Sequence, residues 1–522
     1  MGTFRAVRLA LMGGLLLNFS SPAFAAFVVN TDADTDAAGD GACSLREAIT
    51  AVNNQADYHE CISANAGESA VSVAIPPNMG ELHTIALTSA LPPITHFITL
   101  DATGQTGSIC TPVPNLRVQI TNPAAVPSHG LIFDFGSDFS TVEGLAISGF
   151  APGSSAGIMI FASDVQVGCM IVGTDPAGAT AQPNYYGIYV NGQGSTIGVA
   201  TASQWLPNLI SGNSLANIFI DFGGADSVIS GNYVGVDSAG ATPLQSSFGI
   251  YSLGASGVHI GFSDSGGDPA HQRNVIGIAG PPSTNAVNVT LDNATDNVVA
   301  GNYIGVAADG QTAVPLGTGL GVSVIKSANS VLGCDGFVVT EYCRNVIANP
   351  GGFAVENFEG SNGTAVVGNY IGIGADGVTP FGGSVNAVGI GMSGADTLVA
   401  RNFISTGGLG NGILLSPNNL DHTTPVFLNQ TTAGTNGATL DSSDNCLQGN
   451  GAGGVFTNEA GNPTVISTDF ISNWWGAADG PAPNGSGDSA ASNVNFAPFL
   501  TAPSPYCGTQ PDIVFRDGFE GS

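Results

Sequence analysis

Charge is what this sequence has least of. Asp, Glu, Lys and Arg make up 9% of its 522 residues, only nine are basic, and Lys326 is the sole lysine. So few cations leave no basic patch for nucleic acid or an anionic membrane, and the formal net charge of −30 repels both. It also repels acidic polysaccharides unless divalent cations bridge the two. Tryptophan is scarce, with three residues. Beyond residue 25 no apolar run is long enough to cross a bilayer, so no transmembrane segment is expected in the mature chain. Low charge does not mean disorder, because 43% of the residues are hydrophobic. The 75 glycines, with many Asn, Ser, Thr and Val, point to an all-β protein rich in tight turns.

The N-terminus has the layout of a secretory signal. Arg5 and Arg8 precede an apolar stretch from Leu9 to Leu17, and Ala23-Phe24-Ala25 is a small-x-small cleavage site. Residues 1–25 are therefore expected to be removed. The mature chain keeps seven basic residues against 39 acids, a net charge of −32. The expected product is a monomer, secreted or held at the outer cell surface. All eight cysteines lie in it, and an even count in an exported chain favours disulfides. Close spacing pairs Cys43 with Cys61 and Cys334 with Cys343. Cys110–Cys169 and Cys446–Cys507 are the pairs that remain. The spacings fit no zinc pattern.

Self-similarity organises the middle of the chain. Gly231-Asn232-Tyr233-Val234-Gly235 recurs as Gly301-Asn302-Tyr303-Ile304-Gly305 and as Gly368-Asn369-Tyr370-Ile371-Gly372. A second series interleaves with it: Asn208-Leu209-Ile210, Asn274-Val275-Ile276 and Asn345-Val346-Ile347. Short strands such as Phe248-Gly249-Ile250-Tyr251 fall between them. A repeat of this length divides into about three coils of roughly 22–24 residues, each with two or three short strands. Stacked coils pair their strands in parallel about 4.8 Å apart. A single coil cannot bury its apolar face, and stacking solves that problem. About 15–18 coils would make a rod roughly 70–85 Å long. Asn232, Asn274, Asn302, Asn345, Asn369 and Asn402 would then stack at an internal corner as an amide ladder. Asp237, Asp309 and Asp376, each shortly before a glycine, read as turn residues.

A stack of coils has two raw ends. Ser44 with Glu47 three residues on makes a capping box. Leu45, Ala48, Ile49 and Val52 then share one helical face. This short helix is expected to cover the first coil, pinned by Cys43–Cys61, which gives Glu47 a structural rather than a catalytic use. At the other end stands Asn473-Trp474-Trp475-Gly476. Trp474 and Trp475 suit a hydrophobic plug, with glycan stacking as the second use.

The string Cys43-Ser44-Leu45-Arg46-Glu47-Ala48 resembles the CSLREA domain of exported bacterial proteins. The Gly-Asn-Tyr-Ile-Gly repeats resemble right-handed parallel β-helix proteins of the pectate-lyase-like superfamily. Together the two cover roughly residues 26–500. They imply an N-terminal cap over 26–65, a right-handed parallel β-helix over 66–500, a tail over 501–522 and a secreted or surface protein, but no particular activity. Asp512 to Glu520 resembles short C-terminal motifs on exported proteins of some proteobacteria.

Chemistry is harder to find than architecture. A uronate lyase needs a base and a cation, and the basic residues here are scattered. Arg273, Arg344 and Arg401 recur beside the repeated asparagines, placed either to stack or to pair with turn carboxylates. Hydrolases of the superfamily carry Asn-Thr-Asp, Asp-Asp, Gly-His-Gly and Arg-Ile-Lys strings. Asn30-Thr31-Asp32 occurs at the extreme N-terminus and the others are absent. His129 precedes Gly130 with no paired Asp nearby. No catalytic residue is therefore assigned. Asp32, Asp34, Asp36 and Asp40 alternate in one acidic loop and are candidate calcium ligands. No other cofactor is expected. The expected role is noncatalytic, adhesive or glycan-binding, with extracellular or surface glycans as partners. The alternative is a polysaccharide-active lyase, hydrolase or epimerase.

Overall fold

The computed structural model describes residues 26–508 except 64, 66, 201–203, 264–266, 281–285, 315–318, 335–338, 349–351, 359–360, 382–387, 393–396, 409, 416–431, 434–438, 441–442, 458–467 and 493. The signal segment 1–25 and the C-terminal motif 512–520 lie outside the described residues.

Short runs of alternating aliphatic residues form short strands, and three sheets run the length of the stack. Sheet I has twelve strands, from Phe27–Val29 to Leu398–Ala400. Sheet II also has twelve, from His83–Ala86 to Cys446–Leu447. Sheet III has eleven, from Leu131–Phe133 to Gly453–Thr457. Along most of the stack the chain visits sheets III, I and II in turn and then climbs one rung. Neighbouring strands within each sheet are parallel. The fold is a right-handed parallel β-helix, as the repeat implies.

Aliphatic columns fill the interior. Val142, Val167, Ile197, Ile229 and Ile260 are register partners on successive strands of sheet I. Ile210, Val234, Ile276, Ile304 and Ile347 do the same in sheet II. All ten are fully buried. Each such side chain contributes roughly 1.5–3 kcal/mol on burial.

The coil arithmetic differs from the sequence expectation. Strands of sheet II begin at Leu209, Tyr233, Val275, Tyr303, Val346 and Tyr370, so successive coils hold 24, 42, 28, 43 and 24 residues. The long repeat is two coils, one short and one long, and not three. Among the described residues the longest sheets hold twelve strands, which span roughly 50–55 Å at about 4.8 Å per rung. The surplus residues leave the coil as side hairpins, closed by bridges such as Val236–Pro243, Val306–Ala313 and Ile373–Pro380. Asp237, Asp309 and Asp376 sit in these hairpins and accept the backbone N–H groups of Thr242, Thr312 and Thr379. Those bonds outweigh partial burial and hold the three carboxyl pKa values low, so they are turn residues as read.

The two interleaved Asn series are alternate rungs of one ladder. Asn208, Asn232, Asn274, Asn302, Asn345, Asn369, Asn402 and Asn445 each donate Nδ2 to the next one's Oδ1, ending on Asn473, at 2.8–3.1 Å. The ladder extends past the expected six, to Asn208, Asn445 and Asn473. Arg273 and Arg344 stack beside it over Tyr303 and Tyr370 of the next coil, 4.4 and 4.1 Å from the ring centres. Arg401 lies over Tyr506.

Both ends are closed. Helix α1 (Leu45–Asn54) begins in the expected capping box, with Ser44 N–H donating to Glu47 at 2.9 Å. Leu45, Ala48, Ile49 and Val52 are buried among Phe27, Val29 and Val71. At the far end Trp475 is fully buried, edge-on to Phe470 and Phe496. All four expected disulfides are present: Cys43–Cys61, Cys110–Cys169, Cys334–Cys343 and Cys446–Cys507. The last holds the start of the tail against the helix, where the Tyr370 hydroxyl donates to the Gly508 carbonyl at 3.0 Å. Among the described residues no helix is long and apolar enough to cross a membrane.

Candidate functional site

The residues singled out in the sequence do not gather into a site. Asp34 is almost fully buried and holds the Arg46 guanidinium through both carboxylate oxygens, at 2.8 and 3.0 Å. Thr88 donates to it as well. Asp32 faces His83 at 3.5 Å, and Asp40 accepts from the N–H of Ala42. Asp36 alone joins a mixed group, with Glu47 and His59. Of the four loop aspartates, Asp34 is thus engaged by Arg46 and Asp36 meets other potential ligands. Glu47, in turn, spends its oxygens on the N–H groups of Ala37 and Ser44 and on His59. Trp474 and Trp475 are 7% and 0% exposed. Such burial suits the hydrophobic plug.

A different set assembles on the outside of sheet III. Strand residues alternate in direction, so the partners of buried Ile188, Ile218 and Ile250 point inward and their neighbours point out. The outward column runs Met159, Tyr189, Phe219, Tyr251, Thr290, Ser323, Glu356. Its aromatic stretch forms a continuous band. Tyr189 and Phe219 stack with centroids 5.3 Å apart, and Phe219 meets Tyr251 edge-on at 5.2 Å. Tyr186 packs against both Tyr189 and Phe219, and Phe248 packs against Tyr251.

Two carboxylates border the band. The Tyr189 hydroxyl donates to Asp221, and the Tyr251 hydroxyl donates to Asp292 at 2.8 Å. Burial first, and then the bonded aspartate, pushes both phenols up, so they stay neutral donors at physiological pH. The result is an aromatic strip in which Tyr186, Tyr189, Phe248 and Tyr251 are half-buried around a buried Phe219, edged by hydroxyl donors and carboxylate acceptors. Aromatic faces hold apolar ring surface, and carboxylates accept hydroxyl protons. Sequence reading missed this strip, although a signal existed. Gly187-Ile188-Tyr189, Asn217-Ile218-Phe219 and Gly249-Ile250-Tyr251 repeat a small residue or Asn, then Ile, then an aromatic.

A second pair of acids lies on sheet I. Asp101 and Glu143 are register partners on adjacent strands. Burial, and then the Asp101 charge, raises Glu143 from an ordinary 4.5 to about 7. The folded chain thus keeps a proton that the unfolded chain releases. Between about pH 4.5 and 7 the unfolded state binds fewer protons, so stability falls as pH rises. Glu143→Gln removes this titration. It is expected to match the parent at pH 4 and to exceed it by about 1 kcal/mol at pH 8, after discounting for solvent screening. Urea denaturation at the two pH values measures the difference. Equal differences at both would sink the assignment.

No sequence family and no curated protein matches the chain. Among solved structures, the Dettilon tailspike protein aligns at 14% identity and TM-score 0.44, over 84% of this chain and 68% of its own. The A-module of mannuronan C-5 epimerase AlgE4 from Azotobacter vinelandii aligns at 12% and 0.33, over 84% and 93%. A PL6 family polysaccharide lyase from Pseudopedobacter saltans aligns at 13% and 0.32, over 85% and 95%. At such identities likeness concerns fold and not activity. The class defined here is a disulfide-bonded parallel β-helix with an aromatic lateral strip.

Proposed function

We propose that the chain is an exported, noncatalytic β-helix protein that binds extracellular or surface glycans on the outer face of sheet III. The observation that carries this reading is the strip of half-buried Tyr186, Tyr189 and Tyr251, packed on buried Phe219 and edged by Asp221 and Asp292. A strip crossing successive rungs suits an extended chain of sugars better than a small molecule. The acidic net charge favours neutral over acidic polymers. Export is supported by four disulfides and by the layout of residues 1–25.

Affinity electrophoresis against a panel of neutral and acidic polysaccharides tests it. At least one neutral polymer is expected to retard the protein. The double substitution Tyr189→Ala, Tyr251→Ala is expected to weaken that retardation at least about tenfold, on the order of 1.4 kcal/mol. A panel with no binder, or a double variant that binds as well as the parent, overturns the reading.

One observation favours an enzyme instead. Asp221 and Asp292 stand two rungs apart on one face, roughly 10 Å between backbones. Inverting glycosidases hold their two carboxylates about 6.5–9.5 Å apart. Release of shorter products from any polymer of the panel, abolished by Asp221→Asn, would replace binding with catalysis.

A further inference from the structure

Glu47 is a buried acid whose charge no arginine or lysine answers. Its side chain is 0% exposed, and among the described residues its only ion-pair partner is a histidine. Arg46, beside it on helix α1, turns instead to Asp34 and to the carbonyls of Ser89 and Ala90. The N–H groups of Ala37 and Ser44 bond the Glu47 carboxylate but are neutral. The histidine is His59, whose Nδ1 lies 3.0 Å from Glu47 Oε1. The same nitrogen lies 3.5 Å from Asp36 Oδ1. One imidazole thus faces two carboxylates, and it can carry only one positive charge.

Three separate segments deliver these groups. Asp36 stands in the loop after the first strand, Glu47 in the first turn of α1, and His59 in the turn closed by the Tyr58–Cys61 bridge. Cys43–Cys61 ties that turn to the start of the helix, so the groups are gathered before any ligand arrives. Tyr58 orients two of the three. Its ring stacks on the imidazole with centroids 4.0 Å apart, and its hydroxyl donates to Asp36 Oδ1 at 3.1 Å. Ala37 and Ser44 orient the third, Glu47. Metal ligands are held by outer partners in this way. The side chains of Asp36 and His59 are 49% and 23% exposed, which leaves a way in for a hydrated ion.

The ligand set specifies a metal. One atom from each of Asp36, Glu47 and His59 lies within 4.8 Å of the other two. Bonds of about 2.0–2.2 Å put neighbouring ligands roughly 3.0–3.5 Å apart around four- or six-coordinate zinc. His59 already holds that spacing to both carboxylates. An imidazole nitrogen with two carboxylate oxygens suits zinc, whereas calcium takes six to eight oxygens. Among the described residues no fourth His, Cys, Asp or Glu joins the group, so water would complete the shell. We propose that Asp36, Glu47 and His59 form a zinc site in the N-terminal cap. The ion takes the position of the proton on His59 Nδ1, which passes to solvent. It joins the acidic loop and the Tyr58–Cys61 turn to the helix, and so stabilises the cap over the first coil by binding its folded form. The site does not depend on the reading of sheet III.

Isothermal titration of the chelator-treated, disulfide-bonded full chain with zinc and, separately, with calcium at neutral pH tests it. One zinc ion per chain is expected to bind, at least about tenfold more tightly than calcium. His59→Gln and Asp36→Asn are each expected to weaken zinc at least about tenfold. Both leave the Ser44–Glu47 capping box in place, circular dichroism checks that they fold, and either decides alone if the other does not. His83→Gln removes the contact with Asp32, at 3.5 Å, and is expected to bind zinc as the parent does, which separates the site from a surface histidine. Zinc is also expected to raise the melting temperature of the parent but not of His59→Gln. Absence of zinc binding, calcium bound as tightly as zinc, parental zinc binding by a folded His59→Gln or Asp36→Asn variant, or its loss in His83→Gln overturns the proposal.

Discussion

Replacing Asn302 by Ala is expected to destabilise the central coils by about 3–5 kcal/mol, a large fraction of a typical domain's stability. Asn302 is fully buried and spans two rungs. Its Nδ2 donates to the carbonyls of Ile260 and Ala300 at 2.8 and 3.0 Å and to Asn345 at 3.1 Å. Its Oδ1 accepts from the Asn274 side chain at 2.8 Å and from the Asn274 backbone. Alanine would strand several buried polar groups at once, each costing about 1–3 kcal/mol, and would open a cavity. Asn302→Asp separates the two effects. It keeps the volume but turns acceptor oxygens toward the carbonyls, and is expected to destabilise at least as much at pH 7 as at pH 4. Urea denaturation followed by far-ultraviolet circular dichroism measures both. Exposed Gln245→Ala should stay within about 0.5 kcal/mol of the parent. A loss below 1 kcal/mol for Asn302→Ala would remove the ladder from the list of things that hold the fold.

Trp475→Ala carries the second large effect, about 3–5 kcal/mol. The ring is fully buried, packed edge-on to Phe470 and Phe496, with centroids 6.0 and 6.2 Å away. Stacked coils interact mainly with their neighbours, so the loss should fall on the last coils first. Limited proteolysis is expected to cut the variant near the C-terminal end while the central coils survive. Trp475→Phe should recover part of the protection. Unchanged protease resistance with weaker glycan binding would return Trp475 to the role of a sugar platform.

How much could be read in advance depended on whether the signal was local or periodic. The capping box at Ser44 and Glu47 is local, because its partners lie three residues apart. The Asn ladder is periodic, so most of its members were visible before its geometry was. Coil number was misread because a period counts residues and not rungs. Side hairpins such as that between Val236 and Pro243 add to the period without adding a rung. The pairing of Asp34 with Arg46, twelve residues away, was not legible because it is fixed by where the helix docks.

The sequence by itself determined the strands, the ladder, the helical cap and the close pairs Cys43–Cys61 and Cys334–Cys343, since short-range chemistry or a repeating spacing encodes each. Only the tertiary structure decided which outward side chains meet. Tyr189, Phe219 and Tyr251 are about thirty residues apart along the chain and become neighbours because each coil lays its strand about 4.8 Å above the last. The same stacking set Arg273 and Arg344 over the rings of Tyr303 and Tyr370 on the next coil. Charge scarcity, the first feature of the sequence, thus acquires a location only when the coils are stacked.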